Sequence, residues 1–81
     1  MKIVWDEPKR IANIEKHSLD FAALSFEFFL ASVVVPAKHG RSKAIGRLAD
    51  GTVVVIFVTL GTEALSVISM RPAREDERNL I

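Results

Sequence analysis

The side chains best equipped for chemistry in this chain are cations, and they are unevenly placed. Residues 37–47 hold Lys38, Arg41, Lys43 and Arg47, with His39 among them and no acid. Such a stripe can meet phosphate, because lysine and arginine present several donors on a fixed positive charge. It can equally be the solvated side of a loop and a strand edge. Further on, Arg71, Arg74 and Arg78 stand among Glu75, Asp76 and Glu77. His17 and His39 are of the one side-chain type that ordinarily exchanges protons near neutral pH. Cysteine is absent, which excludes disulfides and thiolate metal sites. Two histidines and scattered acids at unhelpful spacings make no ligand set, so neither a metal nor a cofactor is expected.

A small frame must hold these residues. The chain has 81 residues, 49% hydrophobic and 26% charged, the usage of a globular domain and not of a disordered segment. One domain over residues 1–81 is expected, since a second core would not fit. The net charge is +1, so only the local stripe argues for nucleic acid. The first residues turn charged before an apolar stretch develops, which argues against a signal peptide. The longest apolar run, residues 53–58, falls far short of the roughly 20 residues of a membrane helix. A cytoplasmic protein without membrane contact is expected.

Residues 2–5 are short and β-prone and predict an edge strand. Asp6 as N-cap and Pro8 in the first turn start a helix with Ile11, Ala12 and Ile14 as its apolar set. It should end near His17, where a cation suits the helix dipole. A second helix is predicted from Asp20 through residue 31, with Phe21, Leu24 and Phe28 on one face. Phe26 and Phe29 widen that face, which suggests burial on more than one side. The β-branched run 32–35 closes at Pro36, and 38–42 is loop-like around Gly40. The strongest hairpin signal joins strands over 43–49 and 52–59 through Asp50-Gly51. A turn at Gly61 then leads to a strand over 63–70, and Pro72 starts a final helix. The class is α+β, in the order β-α-α-β-β-β(-β)-α, a small antiparallel sheet packed against helices.

If both turns are two-residue loops, Arg47 pairs with Val54, Val54 with Ser69 and Thr52 with Arg71. Alternation then puts Arg41, Lys43, Ile45, Arg47, Thr52, Ser69 and Arg71 on one face. That face carries Ile56, Val58, Leu65 and Val67 toward its other end. Val53, Val55, Phe57, Ile68 and Met70 turn to a core.

Trp5-Asp6, Lys9, Asn13, Lys16-His17 and Phe21 form a spaced pattern, continued by Arg41, Ala44-Ile45-Gly46, Ile68-Ser69, Arg71, Ala73 and Glu77-Arg78. The set resembles the BrnT family, toxins of type II toxin–antitoxin pairs, over nearly the whole chain. The resemblance implies a RelE-like fold and an endoribonuclease that arrests translation. It also implies an antitoxin of the BrnA type with a ribbon-helix-helix part. DNA would be reached only through that partner, in repression of the shared operon.

RNA can be cut without a metal when its own 2′-OH attacks the neighbouring phosphorus. The protein must then accept one proton, deliver another and stabilise charge on the phosphoryl oxygens. Arg41 and Arg71 match family positions and suit phosphate. His17 is the candidate for proton transfer, Glu77 an alternative general base if burial raises its pKa, and Arg78 completes the catalytic set. Trp5, Lys9, Lys16, Lys43 and Arg47 are RNA-binding candidates, Trp5 by stacking on a base. Each also has a plain structural reading: ion pairs for the arginines, a helix cap for His17, core packing for Trp5, solvated helix for Lys9 and Lys16.

Two positions depart from the family. Ser18 stands where glycine is common; a left-handed helix end there would cost serine roughly 1 kcal/mol. An aromatic usually follows the Glu-Arg pair, where this chain reads Asn79-Leu80-Ile81. A second reading rests on these departures and on the scarcity of acid–base groups: a catalytically degenerate module serving complex formation and operon autoregulation. A third is an oligomerisation domain using Phe26 and Phe29. On the toxin reading, the antitoxin is expected to cover the cationic face and its apolar flank, blocking RNA directly.

Overall fold

The computed structural model describes residues 1–49 and 51–81; the Asp50 half of the expected hairpin turn lies outside them. Strand β1 (Lys2–Trp5) leads to α1 (Glu7–His17), a 3-10 turn (Phe21–Ala23) and α2 (Phe26–Ala31). Strands β2 (Val33–Pro36), β3 (Ser42–Leu48), β4 (Gly51–Leu60) and β5 (Ala64–Pro72) follow, then α3 (Glu75–Arg78). They form one sheet in the order β1-β5-β4-β3-β2. Neighbours in the β2–β5 meander are antiparallel, and β1 lies parallel to β5. The α+β class and element order match the expectation, with the optional strand present.

Helix α1 starts with Asp6 in extended conformation and Pro8 in the first turn, and it carries Lys16 and His17 in its last. It stops because Ser18 turns left-handed, φ 58°, while its N–H bonds Ile14 O at 2.8 Å. The single helix expected over 20–31 is two. Asp20 accepts from the Ala22 N–H and opens the 3-10 turn, and Leu24 is extended. Ser25 then accepts from the Phe28 N–H and opens α2. Two side-chain caps within six residues of each other outcompete one continuous ladder. Pro72 likewise ends β5 instead of opening the last helix, which begins at Glu75.

Phe21, Leu24, Phe28 and Phe29 pack on Ala44, Val53, Val55, Phe57, Leu65, Val67 and Met70. Phe29 meets Phe28 and Phe57 edge-on, with ring centroids 5.3 and 5.2 Å apart. Helix α2 is buried on one side only: Phe26 and Leu30 remain exposed. The opposite sheet face holds a smaller cluster of Ile45, Val54 and Ala73, flanked by Ile56.

The register is corrected in two places. Arg47 pairs with Thr52 and Ile45 with Val54, two residues from the expected alignment; an even slip leaves the faces unchanged. At the second turn Leu60 pairs with Ala64, so three residues form the loop, with Gly61 at φ 61°. That odd slip sends Leu65 and Val67 into the main core, 4% and 1% exposed, and away from the cationic face. A β-bulge then restores the phase: Phe57 pairs with Val67 and Ile56 with Ser69, leaving Ile68 over. Ile68 is therefore a half-buried bulge residue and not a core one. Beyond it, Ser69 and Arg71 regain the face of Lys43 and Arg47.

Candidate active site

That face carries an ion cluster centred on Glu77, whose side chain is 2% exposed. Ala73 docks in the small cluster beneath, and α3 turns the next residues back over β5. Arg71 grips Glu77 with two parallel bonds, Nη1–Oε1 at 2.7 Å and Nη2–Oε2 at 2.8 Å. Lys43 Nζ reaches Oε2 at 3.1 Å from β3. The Arg74 N–H donates to Oε1 at 2.9 Å, and the Arg74 guanidinium lies 3.4 Å from Oε2. One buried carboxylate thus aligns three cations and leaves a positive surplus.

The Arg71 guanidinium, with help from the Arg74 N–H and Lys43, holds the Glu77 carboxyl far below the ordinary carboxylate range, against desolvation. Arg71 is raised in return by the same hydrogen bonds. The condition set for Glu77 as general base, a pKa lifted by burial, is not met. Burial acts in that direction, but a bidentate arginine outweighs it.

Arg41 is half-buried at the entry to β3, in extended backbone that keeps it on the side of Lys43. Arg47 is exposed on the same face, opposite Thr52. Neither makes an ion pair among the described residues. Arg78 points elsewhere: its Nη1 donates to Ala73 O at 2.8 Å and closes α3 on its own linker.

A groove of about 240 Å³ runs between α1 and β5, lined by Lys9, Asn13, Lys16, His17, Ile68 and Ser69. Lys9, Lys16 and His17 share one helix face through the i, i+7, i+8 spacing. Ser69 is the hinge of the geometry, because it lines the groove and sits two residues before Arg71 on the same strand face. The structure therefore brings Lys9, Lys16 and His17 to one groove, whose Ser69 wall continues along β5 to Arg71.

Trp5 is not brought there. It pairs with Val67 on the core side of the sheet, packs edge-on against Phe21 at 6.3 Å, and donates from its indole to Glu7 at 3.1 Å. His39 is an exposed left-handed loop residue, φ 62°.

Asn13, a member of the family pattern, has an internal task in the structure. It is 8% exposed, its Oδ1 accepts from the Met70 N–H at 3.1 Å, and its Nδ2 donates to Leu19 O at 2.9 Å. That side chain fastens α1 to β5 just where β1 ends, and so sets the groove's width. An asparagine inside a helix, where it is intrinsically unfavourable, was the available signal. Arg10 was missed as well; it binds Asp20 at 2.8 Å and Glu7 at 3.1 Å. Its partners are ten and three positions away, and nothing local marks the longer pair.

The sequence profile of the family described as "Ribonuclease toxin, BrnT, of type II toxin-antitoxin system" matches residues 5–77. The chain belongs to this BrnT family. The crystal structure of the Brucella abortus ribonuclease toxin BrnT is similar to it, with 58% identity and a TM-score of 0.86. That match covers 93% of this chain and 99% of the Brucella chain. No curated protein matches. The shared architecture is a five-stranded sheet with three α-helices. BrnT membership makes the chain a ribonuclease toxin of a toxin–antitoxin pair, and so implies an RNA substrate and an antitoxin partner. No described helix is long and apolar enough to cross a membrane.

Proposed function

We propose that this BrnT toxin cleaves RNA without a metal ion, through attack of the 2′-OH on the adjacent phosphorus. The observation that carries this reading is the Glu77-aligned pair of Arg71 and Lys43 beside the groove that holds His17. Arg71 and Lys43 stabilise the negative charge that grows on the phosphoryl oxygens, and Arg41 adds to that field from the entry to β3, two residues before Lys43. His17 accepts the 2′-OH proton. The P–O5′ bond breaks, the 5′-oxygen takes up a proton, and the products are a 2′,3′-cyclic phosphate and a 5′-hydroxyl. Glu77 acts as a positioning residue, since an ionised carboxylate held this strongly is a poor base. Lys9, Lys16 and Arg47 guide the RNA backbone along groove and sheet; Arg78 supports α3. The domain spans 1–81, works in the cytoplasm, arrests translation, and is neutralised by a BrnA-type ribbon-helix-helix antitoxin that carries the DNA binding.

The test is cleavage of a short RNA by purified toxin in EDTA, with the ends of the fragments identified. Fragments ending in 2′,3′-cyclic phosphate are expected, with no cut where a single 2′-deoxynucleotide replaces the attacking sugar. Cleavage that needs added magnesium, or that proceeds at the deoxy position, overturns the mechanism. Intact RNA under all conditions transfers the weight to a module that serves complex formation alone.

A further inference from the structure

The sheet ends at β2, which pairs with β3 alone. The Ala37 N–H bonds Arg41 O at 2.9 Å, in register with the β2–β3 ladder. In an antiparallel pair, bonded and non-bonded residue pairs alternate. Val35 and Val33 therefore bond inward to Lys43 and Ile45, while Val34 and Pro36 direct their backbone groups out along the free edge. Proline has no N–H, so Val34 supplies the outward donor of this edge, followed by the outward carbonyls of Val34 and Pro36.

Exposed apolar side chains lie close to that point in the chain. Val34 is 51% exposed and Leu30, on the helix just before it, is 70% exposed; Phe26 is 41% exposed one helical turn earlier, on the same side as Leu30. Lys38, His39 and Arg41 follow directly after β2 in a loop without acids. Val35 lies opposite Lys43 on the cationic face, so whatever lies along β2 borders the active-site cluster.

We propose that β2 is the strand to which the antitoxin adds an extended segment, apolar where it meets Val34 and Leu30 and acidic where it passes Lys38 and Arg41. This rests on the toxin reading for the existence of the partner, not on the cleavage mechanism. Main-chain bonds to Val34 and Pro36 give register, and the acids match the basic loop. From there the partner reaches Lys43 and Arg41 and excludes RNA. A second copy of this chain fits less well, because its acidic run Glu75–Glu77 is folded into α3 among arginines, with Glu77 already engaged.

Two measurements on the toxin co-expressed with its antitoxin decide it. The Val34 amide, read by NMR exchange, should slow at least 100-fold in the complex relative to free toxin. Leu30→Glu should weaken antitoxin binding at least 10-fold while free-toxin RNA cleavage stays unchanged. Unaltered Val34 exchange in a complex whose ribonuclease is suppressed overturns the proposal, as does full-strength binding by Leu30→Glu. Slowed Val34 exchange in free toxin that tracks dimer formation assigns the edge to a second copy and overturns it too. Failure of the cleavage mechanism would show in the free toxin's RNA assay and leave these binding readouts interpretable.

Discussion

The two faces of the sheet use the same central strands for opposite ends. On one, Val53, Val55, Phe57 and Met70 meet three phenylalanines, and stability is spread over many weak contacts. On the other, Ile45, Val54 and Ala73 make only a small apolar footing, and a single carboxylate ties Arg71, Lys43 and Arg74 together. A dispersed core yields gradually to substitution. A charge cluster with one centre does not: removing Glu77 leaves several cations without their partner at once. The cationic face is thus the more brittle of the two.

The sharpest way to break this contrast is Glu77→Gln. Losing the centre of a buried ion cluster should cost about 3 kcal/mol, read by urea denaturation, and cleavage should fall as both cations lose their alignment. Unchanged stability would show that the cations re-solvate freely. The cluster also carries a pH signature. Glu77 has a folded pKa below its ordinary 4.5, so the folded state binds fewer protons than the unfolded one. Its contribution is present above that value and drains away as pH falls through and below it. The acid limb of a stability profile should flatten in Glu77→Gln.

Arg41 and Arg71 separate function from support. Each alanine variant should lose 10²–10³ in cleavage rate, about 3–4 kcal/mol of barrier. Arg71→Ala should also lower the melting temperature, because Glu77 keeps only its weaker partners, whereas Arg41→Ala should leave it nearly unchanged. Equal thermal losses would mean that Arg41 has a structural partner.

On the apolar face, Gly46→Ala tests how closely α2 sits on β3. The added Cβ would meet Ser32 Oγ and come within 2.8 Å of the Phe28 ring. Overpacking of this kind costs about 1–3 kcal/mol, and cleavage per folded molecule should persist. The smallest change expected is Ser18→Gly. It relieves the left-handed end of α1 and should stabilise by about 0.5–1 kcal/mol, after the added freedom of the unfolded glycine is counted. A loss of stability would show that the Ser18 side chain has a role of its own.

What could be read from the sequence followed the range of the forces involved. Strand alternation and turn glycines located β3, β4 and β5, and they placed Lys43, Arg47, Ser69 and Arg71 on one face. The bulge at Ile68 was invisible, because it compensates a three-residue turn and leaves no mark in composition. That turn moved Leu65 and Val67 to the core, so the apolar flank of the cationic face shrinks to residues such as Ile56 and Val58. The Glu77 clamp was equally hidden. Its partners come from β3 and β5, and only the fold of the chain after Ala73 brings them within 3.1 Å. The family pattern named Glu77 and Arg71, but the geometry changes what Glu77 does.

The parallel pairing of β1 with β5, Lys2 beside Ala64 and Trp5 beside Val67, has a consequence in time. Contacts between such distant segments close late in folding. During synthesis, α1 with Lys9, Lys16 and His17 leaves the ribosome before Ile68, Ser69, Arg71 and Glu77. A nascent chain that has reached α1 but not β5 therefore has one wall of the groove and no clamp. The Glu77 clamp therefore cannot form on a nascent chain before β5 and α3 have emerged, whereas β2, made earlier, is accessible before then.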